Sequence, residues 1–237
     1  IINGQQTKWS GYLPPCMGLW ELSIMIDENT GMVFTTNRYP NDKEKHFIKY
    51  DPFKNRFFKL DAHVPPESVT ASRGSGAGAH NHIRSQTRSV GPDGLFWCTT
   101  YGGQLFTFDP VNETVQDRGR CWPGEQTYTC SMDRSPGGRY LYYVPGAHGH
   151  GYSDGSPIIQ YDTTNGTMKV LAFMFPYYLD TYGYTAGGTF SIKLDDKGER
   201  LFICWNGAFV EHGERQADTF GQCAVMVVNI PASERVE

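Results

Sequence analysis

The chain has 237 residues, a formal net charge of −4, 27 glycines and 14% aromatic residues. Charged residues make up 19% of it, which argues against intrinsic disorder and coiled coil and favours short strands joined by tight turns. There is no basic cluster for a nucleic acid, and no apolar run approaches the ~20 residues that span a bilayer. We therefore expect no nucleic-acid partner and no membrane span.

One pattern occurs four times along the chain. It consists of an apolar strand, a turn, an aromatic-rich strand and a third strand that often ends in aspartate. The first turns of the four units are 27–31, 91–94, 135–138 and 195–198. The period is about 50 residues, with four strands in each unit. The units cover approximately 19–60, 80–117, 126–173 and 186–231, and residues 5–13 look like a strand that completes another unit.

A four-stranded antiparallel unit repeated at this length is typical of a β-propeller blade. We therefore predict an all-β fold in which residues 1–237 form a single propeller domain or a portion of one, with four blades. The recurrent turns disfavour the competing β-sandwich. The four blades either close on themselves, with strand 5–13 completing the last blade, or form the C-terminal part of a larger, seven-bladed propeller whose first blades are missing or on another chain. The chain starts at Ile1 inside a repeat, which favours the larger assembly.

Polar residues gather in four segments: 75–84, 145–157, 175–184 and 206–212. In a propeller, the loop joining the second and third strands lies at the same end as the segment that leads into the next blade's first strand. The four segments are therefore expected at one end of the axis. Their candidate site residues are His80, His82, Arg84, His148, His150, Tyr152, Tyr177, Tyr178, Tyr182, Tyr184, Asn206 and His212.

Three of these histidines suggest a metal site. His148, His150 and His212, as neutral imidazoles beside a carboxylate, suit a divalent ion such as Ca, Mg, Mn or Zn. The alternative is that the histidines bond only to loop carbonyl groups. Nothing in the sequence predicts a nucleotide or a haem.

A second chemistry is general acid–base catalysis. His80, His82 and Arg84 alternate along the start of an inner strand, so they share one face. In this hypothesis His80 or His82 abstracts a proton and Arg84 neutralises a substrate carboxylate. Tyr152 or Tyr184 then protonates the leaving oxygen.

The remaining candidates are assigned to substrate binding. Tyr177, Tyr178 and Tyr182 suit a platform for stacked sugar rings, or they only cover the ends of the blades. Asn206 faces the same region. We therefore expect an oligosaccharide or another small molecule as the ligand.

Six cysteines are present without a Cys-x-x-Cys pair, which excludes a zinc ribbon, a thioredoxin-like motif and c-type haem attachment. Cys98 and Cys204 read as small core residues. Cys121 and Cys130 could form a disulfide, which the sequence leaves open.

Residues 135–148, 159–162 and 230–235 resemble a group of bacterial multi-blade β-propeller proteins, most of which have no assigned activity. More distantly, residues 91–97 look like the blade turn of streptogramin B lyase, and the architecture is similar to that of propeller polysaccharide lyases. The similarity to those lyases implies that His, Tyr and Arg side chains, sometimes with a metal, act on uronate-containing glycans.

Two functions follow as expectations. The first is a lyase-like site on an acidic carbohydrate, and the second is a non-catalytic binding module or scaffold subunit. A periplasmic or secreted location is expected for both.

Overall fold

The computed structural model describes residues 23–36, 44–66, 82–147, 151–210 and 221–235, and these form fifteen strands, one α-helix and two 3₁₀ turns. The strands are β1 (Met25–Ile26), β2 (Val33–Thr36), β3 (His46–Asp51), β4 (Arg56–His63), β5 (Ile83–Gln86), β6 (Phe96–Thr100), β7 (Gln104–Asp109), β8 (Thr114–Arg120), β9 (Thr129–Arg134), β10 (Tyr140–Pro145), β11 (Pro157–Asp162), β12 (Thr167–Phe173), β13 (Tyr184–Leu194), β14 (Arg200–Phe209) and β15 (Gln222–Asn229). Helix α1 is Met174–Tyr182, and the 3₁₀ turns are Gly151–Asp154 and Ala232–Glu234.

The strands form four antiparallel meanders, each sheet taking its strands in chain order. The first three sheets are β1–β4, β5–β8 and β9–β12, and the fourth is β13–β15. The all-β fold with four propeller blades is therefore confirmed, and the sheets are called the first to fourth blades below. The predicted strand 5–13 lies outside the described residues, and the predicted blade limits and single domain stay predictions.

Apolar side chains fill the space between consecutive blades. Three buried clusters occur in the described residues, and each draws on two neighbouring sheets. Phe34, Phe47 and Phe106 belong to the first, Trp97 and Tyr143 to the second, and Tyr142, Ile203 and Trp205 to the third. Blades thus pack face to face, which explains why their strands are apolar on both sides.

Inner strands of neighbouring blades are also joined by hydroxyl groups. Ser23 donates its Oγ proton to the Arg84 carbonyl at 3.2 Å, and the Ile192 N–H donates to Ser131 Oγ at 3.2 Å. Contacts of β5 and of β13 with β9 continue this ring of first strands. The innermost strands therefore hold side chains of adjacent blades at fixed separations.

The repeated glycine turn has a backbone cause. Gly31, Gly94, Gly138 and Gly198 close the turn between the first and second strand of each blade, with φ between 70° and 91°. A side chain disfavours this left-handed region. The spacing of these glycines in the sequence therefore reports the spacing of the blades.

The repeated aspartate has a cause as well. β3, β7 and β11 end in Asp51, Asp109 and Asp162, whose carboxylates accept backbone N–H groups of the following turn at 2.8–3.0 Å. Asp162 also accepts from Arg139 Nη2 at 2.8 Å. The Arg139 side chain, together with the N–H of Thr164, holds the pKa of Asp162 below its usual value.

Cys98, Cys121, Cys130, Cys204 and Cys223 are free thiols, so the possible Cys121–Cys130 disulfide is not formed. Cys98 is buried, as the core assignment requires, whereas Cys204 is only half-buried, so its assignment to the core is wrong. Among the described residues no helix has the length and apolar character to cross a membrane.

Truncating a phenylalanine between blades should destabilise the fold strongly. Phe106→Ala removes a fully buried ring and should lower the free energy of unfolding by about 3–5 kcal/mol. Phe53→Ala, in the 80% exposed turn position, is the matched control and should change it by less than about 0.5 kcal/mol. Urea unfolding curves measure both, and equal losses would contradict face-to-face packing.

Acid should weaken the turn after β11. Because the pKa of Asp162 is lowered in the folded state, its contribution is fully present above the ordinary aspartate pKa and is lost as the pH falls through the lowered value. The stability difference between the native chain and Asp162→Asn should therefore be largest near neutral pH and shrink in acid. Denaturant titrations at several pH values measure it, and a difference independent of pH would contradict the assignment.

Candidate functional site

At one end of the propeller lie, for each blade, the turn between its second and third strands and the segment that leads into its first strand. We call it the loop end. Of the predicted site residues, the structure describes His82, Arg84, Tyr152, Tyr177, Tyr178, Tyr182, Tyr184 and Asn206 there. His80, His148, His150 and His212 lie outside the described residues, and their assigned roles stay predictions.

Arg84, at the start of β5, lies at the centre of a group of polar side chains. Its Nε donates to the Tyr128 hydroxyl, its Nη2 lies 2.7 Å from Cys130 Sγ, and its guanidinium carbon is 4.7 Å from the centre of the Tyr128 ring. Tyr101 packs edge-on against Tyr128 at 4.5 Å, and His82 lies 5.2 Å from Tyr101. These five residues are called the arginine cluster.

The two hydrogen-bond partners of Arg84 are uncharged near neutral pH. Burial raises the pKa of Tyr128 well above its usual value, although Arg84 acts against this. Burial also raises the pKa of the Cys130 thiol. Arg84 is half-buried, and within the described residues it has no carboxylate partner. Its positive charge is therefore not neutralised by the side chains that hold it.

His82 is enclosed behind this surface. It is 1% exposed, and its backbone carbonyl accepts the Tyr101 N–H at 3.0 Å. The ring is closed to solvent and packs beside Tyr101, so the predicted role of His82 as a base would require a rearrangement.

The loop between β10 and β11 is attached to the preceding blade connection. Asp154 accepts from Trp122 Nε1 at 2.8 Å and from the Gln126 N–H at 2.9 Å. A Cβ on Gly146, whose φ is 90°, would lie 2.4 Å from Gly151 Cα, so only glycine allows this close approach. The described ends of the loop are therefore held in one conformation.

Two predicted proton donors have structural contacts. Tyr184 is 2% exposed and donates its hydroxyl proton to the Gln222 carbonyl at 2.8 Å, and burial raises its pKa to about 12. Tyr152 packs against Phe175, with ring centres 5.5 Å apart. An acid role for Tyr184 would require its bond to Gln222 to break first.

Asn206 has a similar structural contact. It is buried in β14, and its Oδ1 accepts the Gly221 N–H at 3.0 Å. The amide joins the segments on either side of residues 211–220. Its predicted contact with a substrate stays untested.

Residues 175–184, expected as a loop into the fourth blade, mostly lie in helix α1. Tyr177 and Tyr182 are 55% and 58% exposed, while Tyr178 packs against the third apolar cluster. The three ring centres lie 5.3–6.3 Å apart. The helix thus presents two exposed aromatic faces on a supported base, which the prediction of a stacking platform requires.

No group of three histidine, cysteine, aspartate or glutamate side chains is placed to hold a metal within the described ranges. The three predicted histidine ligands are outside those ranges. The metal prediction is therefore neither supported nor contradicted.

Sequence reasoning missed Tyr101, Tyr128 and Cys130 as neighbours of Arg84. A signal for Tyr128 was present, because the register that aligns the turns 91–94 and 135–138 places Arg84 and Tyr128 at equivalent positions of adjacent blades. The contacts made by Cys130 and by Tyr101 depend on how the second and third blades are offset where they meet, which the repeat does not specify.

No protein family and no curated protein sequence matches the chain. Among solved structures, hydrazine synthase of Kuenenia stuttgartiensis matches with a TM-score of 0.53 and 11% identity, over 87% of this chain and 45% of that one. The chain thus spans under half the length of that relative. At this identity the likeness concerns the fold alone.

Two further structures are similar at lower scores. A putative 6-phosphogluconolactonase from Bacteroides uniformis gives a TM-score of 0.49 at 11% identity, over 90% of this chain and 68% of that one. The Cps50 (Swd1) β-propeller domain of Myceliophteria thermophila gives 0.48 at 8%, over 77% and 48%. The resemblance to streptogramin B lyase and to polysaccharide lyases stays an expectation.

Removing the loop anchor should loosen the loop end. Asp154→Ala breaks two hydrogen bonds to a carboxylate and should lower the free energy of unfolding by about 1–3 kcal/mol. It should also shift the emission of Trp122, whose indole N–H loses its partner. Asp180→Ala, in the exposed part of α1, is the control. Denaturation followed by tryptophan fluorescence measures both, and equal effects would contradict the anchoring role.

Proposed function

We propose that the loop end binds an acidic carbohydrate, with Arg84 as the group that receives the ligand's carboxylate. The observation that carries this proposal is a half-buried guanidinium whose partners, Tyr128 and Cys130, are both uncharged. Charged groups removed from water are normally paired, because their desolvation is costly. A ligand carboxylate would supply the missing partner.

Pre-organisation supports the same proposal. Nε and Nη2 of Arg84 are fixed by Tyr128 and Cys130, and Nη1 has no described partner. A guanidinium held in this way loses little side-chain freedom when it binds a carboxylate. Tyr177 and Tyr182 add exposed aromatic faces at the same end, suited to the apolar faces of sugar rings.

Binding measurements on Arg84 variants test the proposal. Arg84→Met should weaken binding of uronate oligosaccharides about 10–100-fold, because a hydrogen-bonded charge pair contributes about 1.5–3 kcal/mol. Arg84→Lys should recover part of this loss. Titration calorimetry with an acidic oligosaccharide and its neutral analogue measures both effects.

Arg88→Met is the matched control, since Arg88 lines a cleft at the opposite end of the blades. It should leave the affinity unchanged. An equal loss in Arg84→Met and Arg88→Met, or equal affinity for acidic and neutral sugars, would contradict the proposal. Absence of binding to either sugar would favour the scaffold alternative.

A lyase activity is the second candidate, favoured by the contact between the Tyr128 hydroxyl and Arg84. In this reaction Arg84 would neutralise the uronate carboxylate and a base would remove the proton beside it. The bond to the leaving oxygen would then break, a tyrosine would supply that oxygen's proton, and a carbon–carbon double bond would remain. Tyr128, with its raised pKa, retains a proton near neutral pH, as an acid must.

Ultraviolet absorbance of the unsaturated product distinguishes the two candidates. If Tyr128→Phe lowers product formation far more than it weakens binding, the residue acts in the reaction as well as in holding Arg84. If no unsaturated product forms from any acidic glycan that binds, the site binds without catalysis.

A further inference from the structure

Two histidines lie side by side at the loop end of the first blade, outside the arginine cluster. His46 begins β3 and His63 ends β4, and the strand register pairs them directly. Paired residues of antiparallel strands project from the same face of the sheet. Their imidazole ring centres are 5.9 Å apart, with the ring planes inclined at 65°. The two rings are therefore neighbours that can act together.

Backbone carbonyl groups determine which nitrogen of each ring carries a proton. Nδ1 of His46 lies 3.0 Å from the Leu60 carbonyl oxygen. Nδ1 of His63 faces the Asp61 carbonyl oxygen at a longer distance of 3.4 Å. A carbonyl oxygen only accepts, so both Nδ1 atoms donate, and Nε2 of each neutral ring keeps a lone pair. Metal-binding histidines have this arrangement, because they usually donate their other N–H to a carbonyl or carboxylate oxygen.

Glu44 adds a carboxylate beside His46. Its Oε2 lies 3.4 Å from His46 Nε2. A hydrogen bond between a charged imidazolium and a carboxylate would be about 2.7–2.9 Å long. Two ligand atoms of a tetrahedral zinc ion, each about 2.0–2.1 Å from the metal, lie about 3.3–3.4 Å apart. The separation between Glu44 and His46 therefore fits two ligands of one ion better than a direct charged hydrogen bond.

Hydrogen bonds hold the backbone around these three side chains. The His46 N–H donates to the Glu44 carbonyl at 3.1 Å, and the Val64 N–H donates to the Lys45 carbonyl at 2.8 Å. The end of β4 is thereby fixed against the segment that leads into β3. Side chains on a backbone held in this way lose little freedom when they bind an ion, so less of the binding free energy is lost to ordering.

We propose that Nε2 of His46, Nε2 of His63 and the Glu44 carboxylate together bind a divalent transition-metal ion of the zinc type. Two imidazoles and one carboxylate form a common set of three zinc ligands, which leaves a fourth position for water or a substrate. Imidazole nitrogen also favours such ions over Mg²⁺ and Ca²⁺, which prefer oxygen ligands. The inference goes beyond carbohydrate binding and does not depend on it, and it is separate from the histidines predicted from the sequence to bind a metal.

Small movements of exposed side chains would complete the site. Among the described residues no three histidine, cysteine, aspartate or glutamate side chains are already placed around one ion position. Two imidazoles on one tetrahedral ion have ring centres about 5 Å apart, slightly less than the 5.9 Å between these two rings. His63 is exposed and the Glu44 side chain is 66% exposed, so both can turn towards His46. The His46 side chain is 15% exposed and is the fixed member of the set.

Zinc titration tests the proposal. The chain used carries His148→Ala, His150→Ala and His212→Ala, which removes the histidines predicted to bind a metal elsewhere. Calorimetry should still show a bound Zn²⁺. Adding His63→Ala should weaken its binding at least about 10-fold, since losing even a hydrogen-bond partner of a metal ligand costs about 10–100-fold. Glu44→Gln, which keeps the shape of the side chain, should weaken it too. No Zn²⁺ binding by this chain, or equal affinity after His63→Ala, overturns the proposal.

Thermal unfolding of the native chain gives a second measurement. Zn²⁺ should raise the unfolding midpoint, because an ion that binds only the folded state stabilises it. The rise should be lost in His63→Ala and kept in the controls His150→Ala and Arg84→Met. Without zinc, His63→Ala should unfold at the native midpoint, since His63 is exposed. Arg84→Met should lose the acidic sugar and keep Zn²⁺, which separates failure of this inference from failure of the carbohydrate site. A rise that His150→Ala removes and His63→Ala keeps contradicts the proposal.

Discussion

The structure depends on one constraint: a sheet that is apolar on both faces must be covered on both. The second and third blades meet it through their neighbours, and Trp97 and Tyr143 are buried between them. Face-to-face packing explains the near-continuous apolar strands, the short connections and the ring of inner strands. In the fourth blade, by contrast, Val225 and Val227 on the face away from the third blade are exposed.

The same packing produces the arginine cluster. Because β5 and β9 are adjacent inner strands, side chains from different repeats meet at the loop end. Arg84 comes from the second blade, while Tyr128 and Cys130 come from the third. Arg84 is charged, whereas its equivalent in the third blade, Tyr128, is not, and such a departure from the repeat is a typical place for function. Fold packing and candidate chemistry are therefore coupled at this junction.

The repeat made most of the fold predictable. Glycine recurs at the first turn of each repeat because Gly94 and Gly138 occupy a left-handed conformation that few other residues adopt. Aspartate recurs at the end of the third strand because its carboxylate, as in Asp162, accepts N–H groups of the following turn. No sequence feature distinguished helix α1 from a strand, because its aromatic residues are equally suited to strands. Tyr184 and Asn206 were assigned to a ligand from their residue type, and only the three-dimensional arrangement shows their bonds to neighbouring backbone.

A crystal structure of the chain with a bound acidic oligosaccharide tests the central claim most directly, because it shows whether the junction of the second and third blades receives a ligand. The carboxylate should lie within hydrogen-bond distance of Arg84, with Tyr128 and Cys130 still in contact with the guanidinium. A carboxylate bound elsewhere on the chain, with Arg84 making no contact to the ligand, would contradict the claim.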